Sequence, residues 1–341
     1  MKKRAFITGI TGQDGTYLAE FLLEKGYEVH GLVRRSSNNP FSRLPSLEQK
    51  ITVHFGDLRD IGALERAIAK ADPHEIYNLA AQSNVGVSFL VPEETYEINY
   101  AGVGRLVRAA MEHNKDIRIY QASTSEMFGA TPPPQNEESG FAPVSPYAEA
   151  KLKAHQDYVE GYRTRHGLFI CSGILFNHES PRRGEQFVTR KVTCALANIK
   201  LGRQEVLEIG NLEAKRDWGF AGDYVELMWK LLQQDEPEDF VIGTGETHTV
   251  RELINHAAET LDMPLVWSGE GENTIGTDAE GVVRVRVNKE YYRPREVHHL
   301  LADVTKARAK LGWEPAHTFK SLITLMAKAD YEALAAQKPV A

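Results

Sequence analysis

Along the first half of the chain, short apolar runs alternate with longer stretches in which apolar residues recur every three or four positions. The runs RAFITGI (4–10), YEVHGLV (27–33), KITVHF (50–55), EIYNLA (75–80), IRIYQA (117–122) and LFICSGILF (168–176) have the length and side-chain types of strands. Between them, TYLAEFLLEKG, IGALERAIAKA, VGRLVRAAMEHN and YAEAKLKAHQDYVEGYRTRHG carry the helical period. This alternation predicts right-handed βαβ units and an α/β fold with a doubly wound parallel sheet. Runs that are apolar throughout fit a sheet covered on both faces. After about residue 177 the pattern loosens into turn-rich charged segments, NHESPRRG, GNLEAKRDWG and EGENTIGTDAEG, which predict a smaller, discontinuous C-terminal lobe. DYVELMWKLLQQ (223–234) and FVIGTG (240–245) are expected to return to the sheet.

Composition narrows the function classes. The chain has 341 residues, 42% of them hydrophobic, and a formal net charge of −7 with acids and bases interspersed. That charge argues against nucleic acid as a partner. The two cysteines, Cys171 and Cys194, argue against a disulfide framework and for a reducing compartment. MKKRAFITGITG is a poor signal peptide because its apolar part is short and broken by glycine, and no membrane span is expected. The expected location is the cytoplasm.

The first predicted strand runs into GITGQDG, with Gly9, Gly12 and Gly15 three residues apart, and then into a helix. Between a first strand and a first helix, such a trio lets the backbone approach a pyrophosphate held at the helix N-terminus. This is the Rossmann arrangement. It makes Gly9, Thr11, Gly12, Gln13, Asp14 and Gly15 candidate dinucleotide contacts. The second strand ends without the acid that usually binds the NAD ribose. Arg34, Arg35, Ser36 and Ser37 stand there instead and suit a 2′-phosphate, so NADP is the expected cofactor, the alternative being plain surface charge. Asp57 and Leu58 after the third strand, and Leu79, Ala80, Ala81, Gln82 and Ser83 after the fourth, lie where open α/β sheets bind ligands.

QASTSEMFG (121–129) closes the fifth strand on Ser123, Thr124 and Ser125 with Glu126 behind them, and SPYAEAK places Tyr147 and Lys151 on one helix face. A neighbouring ammonium, together with a positive nicotinamide, favours phenolate and would let Tyr147 act as a base. An ordinary surface Tyr/Lys pair is the alternative when the motif stands alone. Glu126, directly behind these hydroxyls, is a candidate general acid or base, the alternative being an ordinary loop-start carboxylate.

The glycine trio, the Ser-Thr and the Tyr147/Lys151 pair together resemble the extended short-chain dehydrogenase/reductase superfamily. In that family the tyrosine deprotonates a sugar hydroxyl as hydride leaves, and the lysine orients the nicotinamide ribose, so the resemblance implies that Thr124 binds the reacting oxygen and Tyr147 moves its proton. Glu126 would be useful only if a second proton must move. Once C4 of a hexose is a ketone, a base can take the C5 hydrogen while the C6 hydroxyl leaves, which makes Glu126 the candidate C5 base and C6 acid. Thr124-Ser125-Glu126, ILFNHESPRRG (174–184) with FVTRK (187–191), GNLEAKRDWG (210–219), EPEDFVIGTGE (236–246) and YYRPREV (291–297) are similar to the GDP-mannose 4,6-dehydratase family, to LGWEP (311–315) near the C-terminus. The resemblance implies a redox-neutral dehydration of GDP-mannose with NADP regenerated at each turnover and no metal. Ser83, Thr124, Ser125 and Asn177 would bind substrate, and His178 and Arg183 the cofactor. Lys191, Arg216, Arg293 and Glu296 would contact GDP. The Arg-Ser segment would reach a neighbouring subunit, giving a homodimer or homotetramer. On this reading residues 1–176, joined by about 212–245, form the NADP-binding domain, and 177–211 with 246–341 the nucleotide-sugar lobe. Three positions depart from the family: Ala80 and Asn84 in NLAAQSNV, and Val144 before the tyrosine. They are expected near the nicotinamide and the sugar, and they leave open another GDP-sugar such as GDP-manno-heptose, with a 4-epimerase or 4-reductase as the further alternative.

Overall fold

The computed structural model describes residues 2–37, 39–292, 297 and 299–337. Seven strands form the central sheet: β1 (Arg4–Thr8), β2 (Glu28–Val33), β3 (Thr52–Phe55), β4 (Glu75–Asn78), β5 (Arg118–Thr124), β6 (Ile170–Leu175) and β7 (Phe240–Ile242). Their order is β7-β6-β5-β4-β1-β2-β3, and every pairing is parallel. The winding reverses between β1 and β4, the place where doubly wound sheets open a crevice beyond their strand C-termini.

Both faces are covered, as the apolar strands required. On one face, the helices Gln13–Glu24 and Ala221–Leu231 bury Leu18, Leu22, Tyr224 and Met228 against β1, β5 and β6. On the other, Ile61–Ala71 and Gly102–His113 bury Leu64, Ile68, Leu106 and Val107. The expected 223–234 helix and 240–245 strand do rejoin this sheet, the strand pairing with β6 through Phe240↔Gly173 to Ile242↔Leu175.

A separate apolar cluster joins Val192 and Leu196 to Leu253, Ile254, Val285, Leu322 and Met326. It is built from pieces distant in sequence: the helices Val188–Lys200, Val250–Thr260 and Phe319–Ala335, and a four-stranded sheet that begins at Leu207–Ile209. Among the described residues, no helix is long and apolar enough to cross a membrane.

Some boundaries differ from the sequence expectation. The first helix starts at Gln13, three residues before TYLAEFLL, because Gly12 supplies its N-cap. β5 runs on through Ser123 and Thr124, paired with Ile174 and Leu175 of β6. The long helical run after Tyr147 contains a π-helical stretch, His155–Glu160.

The last strand is tied in by Asp239, which accepts both guanidinium nitrogens of Arg163 at 2.5 and 3.0 Å and the Ser172 N–H at 2.6 Å. Removing one partner of such a group strands the others. Asp239→Ala is expected to destabilise the fold by about 3 kcal/mol, read as a lower urea midpoint at an unchanged slope.

Candidate functional site

The loop after β1 is shaped by close packing. Gly9 has φ +68°, and a Cβ there would lie 2.7 Å from Ala80 N; one at Gly15 would lie 2.3 Å from Gly9 O. Glycine is thus required at both, for a left-handed turn at the first and helix–strand contact at the second. Gly12 caps the helix with backbone alone, so the amides of the first turn remain free to bind an anion. This N-terminus opens into a cleft of about 940 Å³ running between the sheet and the second cluster.

Most of the predicted residues meet in that cleft. Gly9, Thr11, Gly12, Gln13, Asp14, Gly15, Arg34, Asp57, Leu58, Leu79, Ala80, Ala81 and Ser83 line its sheet side, and Asn177, His178, Arg183, Lys191 and Arg216 its other side. Gln13 does so with its amide turned inward, donating to His178 O at 3.0 Å and accepting from Ser180 Oγ at 2.8 Å. Arg35, Ser36 and Gln82 do not line the cleft. Gln82 instead braces the following turn, its amide carbonyl accepting the Asn84 N–H at 2.6 Å and its amide nitrogen donating to Thr95 at 3.1 Å. Arg293 and Glu296 lie outside the described residues. Of the three departures, Ala80 and Asn84 face the cleft. Val144 does not; it packs against the apolar cluster of Met127 and Phe128, so the expectation that it sits near the sugar is corrected.

Several lining residues were not singled out from the sequence. Tyr291 lies in YYRPREV and stacks its ring 3.3 Å from the Lys191 ammonium. Trp218, in GNLEAKRDWG, is buried with its indole N–H unpaired by protein. Leu90, 81% exposed, forms the lip.

Thr124, Ser125, Glu126, Tyr147 and Lys151 share the floor. Thr124 Oγ1 accepts the Glu126 N–H at 3.2 Å, capping a short 3₁₀ turn, Ser125–Met127, that places Glu126 in the cleft lining. The Thr124 hydroxyl keeps its proton free to donate toward the Tyr147 phenol, whose pKa it lowers. Ser145 caps the tyrosine helix, Pro146–Ala154, by accepting from Ala148 N at 3.2 Å. Lys151 Nζ lies 6.0 Å from the Tyr147 ring centre and donates to Ala122 O at 2.8 Å. Burial pushes the Tyr147 phenol up to about 12, outweighing the Thr124 hydrogen bond that lowers it, with Glu126 raising it further. Burial also brings Lys151 down to about 8 against the pull of Asp14. Within the protein itself, desolvation of the phenolate is the largest effect on Tyr147 in a site this dry.

One group with metal-ligand spacing occurs among the described residues, His155, Glu160 and Asp239, but Asp239 already holds Arg163 and Ser172.

The profile of the family described as GDP-mannose 4,6 dehydratase matches residues 6–326. The chain belongs to that family. It is 48% identical to GDP-mannose 4,6 dehydratase 1 of Arabidopsis thaliana, covering 100% of this chain and 93% of that one. It is 50% identical to GDP-mannose 4,6 dehydratase of Homo sapiens, over 96% of this chain and 91% of that one. The fold is similar to that of a Thermus thermophilus UDP-glucose 4-epimerase solved in complex with NAD, with a TM-score of 0.80 and 25% identity over 97% of this chain and 99% of that one.

In this member of the GDP-mannose 4,6-dehydratase family, the glycine loop is joined to the segment after β6 by a partly buried ion pair. His178 Nε2 donates to Asp14 Oδ2 at 2.8 Å while Nδ1 donates to Phe176 O at 2.8 Å. Both ring nitrogens face acceptors, so the imidazolium satisfies both. Burial alone would raise Asp14, but the charge and hydrogen bond of His178 take it down to about 2. Burial alone would lower His178, yet Asp14 prevails and raises it.

A raised histidine contributes stability below its unfolded value, ordinarily 6.5, and loses it as pH rises through the folded value. A depressed aspartate contributes above its ordinary 3.8 and loses it only as pH falls toward 2. The pair is therefore fully stabilising between roughly pH 4 and 6.5. His178→Gln is expected to lower the melting temperature at pH 6 and to flatten its decline from pH 6.5 to 8.5, as read by calorimetry across that range.

Proposed function

We propose that the protein converts GDP-D-mannose to GDP-4-keto-6-deoxy-D-mannose and water, with NADP as the resident cofactor. The observation that carries this reading is the buried Glu126 carboxylate on the same cleft floor as Thr124, Tyr147 and Lys151. An alcohol dehydrogenase needs the last three; only an elimination needs the fourth.

The cleft fits a dinucleotide: uncapped helix amides lie above Gly12, and Arg34 stands at the end of β2. Asp57 is held by Arg59 at 2.9 and 3.0 Å, and that hydrogen bond keeps its carboxyl below the usual range, so it is committed to protein. An arginine with no free acid beside it favours a phosphorylated ribose. When bound, the oxidised nicotinamide supplies an acceptor for hydride and a positive charge beside the phenol.

Tyr147 takes the O4 proton as hydride leaves C4, with Thr124 donating to the same oxygen. The 4-ketone acidifies C5–H. Glu126 removes that proton and delivers it to the departing C6 hydroxyl, which leaves as water. Hydride then adds at C6, and C5 regains a proton, the one released from O4 balancing the account. Asn177, Lys191 and Arg216 offer donors for the sugar-diphosphate side of the cleft, and Arg183 offers one for the cofactor. The exposed Arg35 and Ser36 lie off the cleft, where a second subunit of a dimer or tetramer can meet them.

Glu126→Gln should still oxidise C4 but eliminate water at least about a hundredfold more slowly, seen as single-turnover NADPH absorbance without 4-keto-6-deoxy product. In deuterated water the wild-type product should carry deuterium at C5 and substrate C4 hydrogen at C6. Parallel turnover of GDP-mannose and GDP-manno-heptose separates the sugars. Dehydration undiminished in Glu126→Gln would overturn the role given to that residue.

A further inference from the structure

Lys151 is held from below by a chain of side chains that crosses the sheet. β4 stops at Asn78, opposite Gln121 of β5, and the next carbonyl of β5, Ala122 O, accepts from side chains. Lys151 Nζ reaches it at 2.8 Å and Gln121 Nε2 at 2.9 Å. Gln121 Oε1 accepts from Asn78 Nδ2 at 2.7 Å, and Asn78 Oδ1 accepts from the Thr8 hydroxyl at 2.6 Å. Thr8 Oγ1 in turn accepts the Ala80 N–H at 3.2 Å. Thr8, Asn78, Gln121 and Lys151 are each 4% exposed or less.

The direction of this chain is fixed from the Ala122 end. Ala122 O can only accept, so Gln121 presents its amide nitrogen there and its carbonyl to Asn78. Asn78 must then present its nitrogen to Gln121 and its carbonyl to Thr8, whose hydroxyl donates. A flipped Gln121 amide would set two carbonyl oxygens against each other beside the lysine. Consecutive donor–acceptor links of this kind polarise one another in a dry interior and hold one geometry.

We infer that Gln121 is a positioning residue for Lys151, fixing the Ala122 carbonyl and through it the direction of the ammonium, and tying that direction to the Thr8–Ala80 wall at the glycine loop. Pinned at one N–H, the lysine aims its remaining N–H groups into the cleft. The inference rests on the role proposed above for Lys151.

Gln121→Glu keeps the size and the acceptor for Asn78 but removes the donor to Ala122 and puts an anion near the ammonium. The enzyme should keep its fold and its KM for GDP-mannose within about threefold, lose about tenfold in kcat, and show the alkaline limb of its pH–rate profile about one unit higher, because a carboxylate stabilises the charged lysine. Asn78→Asp, which cannot donate to Gln121, should lower kcat in the same way at little cost in KM, and serves if the first variant does not fold. A folded Gln121→Glu enzyme with wild-type kcat and an unmoved limb overturns the inference, as does a loss of kcat that tracks a fall in melting temperature while the limb stays in place. Lys151→Met separates this from the underlying reading: retained dehydration there removes the lysine's role itself, whereas its loss alongside an unaffected Gln121→Glu enzyme removes only the ladder.

Discussion

Parallel pairing is the constraint on which the site depends. With β1, β4, β5 and β6 all running one way, their C-terminal ends fall on one edge, and the reversal of winding between β1 and β4 opens that edge. The glycine loop leaves β1, the Leu79–Ser83 wall leaves β4, Thr124 ends β5 and Asn177 follows β6. Four segments distant in sequence become walls of one cleft because sheet hydrogen bonding leaves no other arrangement. An antiparallel insertion anywhere in this row would send one of those groups to the opposite edge.

The second consequence is dryness. A sheet buried on both faces delivers its polar strand ends into low dielectric, where each polar group needs a partner or a task. Asp14 and His178 answer by pairing, and Thr8, Asn78 and Gln121 by a ladder. Tyr147 and Lys151 are both pushed toward their neutral forms, the phenol up to about 12 and the ammonium down to about 8. A phenol and an ammonium that are near-equal acids in water are thereby driven apart in the cleft floor, and burial by itself works against the phenolate.

What the sequence could show follows from the range of each signal. Strands and helices were legible because periodicity is local, and β5, β6 and the 61–71 helix appear close to where the pattern puts them. The glycine trio was legible because steric need for glycine at Gly9 and Gly15 leaves a fixed spacing. The electrostatics were not. Asp14 and His178 stand 164 residues apart and Gln121 and Asn78 stand 43 apart, and in each pair neither residue announces its partner. Gln121 read as the end of an apolar strand, and Gln82 as a ligand contact, for the same reason: an amide's role depends on which groups the fold brings to it. Val144 misled differently, since nearness to Tyr147 in sequence says nothing about direction once Ser145 and Pro146 turn the chain into a helix.

The chemistry then rests on one turn. Thr124 is the last residue of β5, and its side chain caps the turn that follows, so a single hydroxyl both terminates the strand and sets the carboxylate two residues on. The hydroxyl's lone pair is spent on the Glu126 amide, which leaves its proton for Tyr147 or a substrate oxygen; the two functions use opposite ends of the same O–H group. On the proposed mechanism, the Thr–Tyr–Lys set without this carboxylate would still support oxidation at one carbon but not elimination at the next. The step from a redox site to a dehydratase would then need no new element of the fold, only a carboxylate at the position of a 3₁₀ turn whose backbone amide Thr124 already holds.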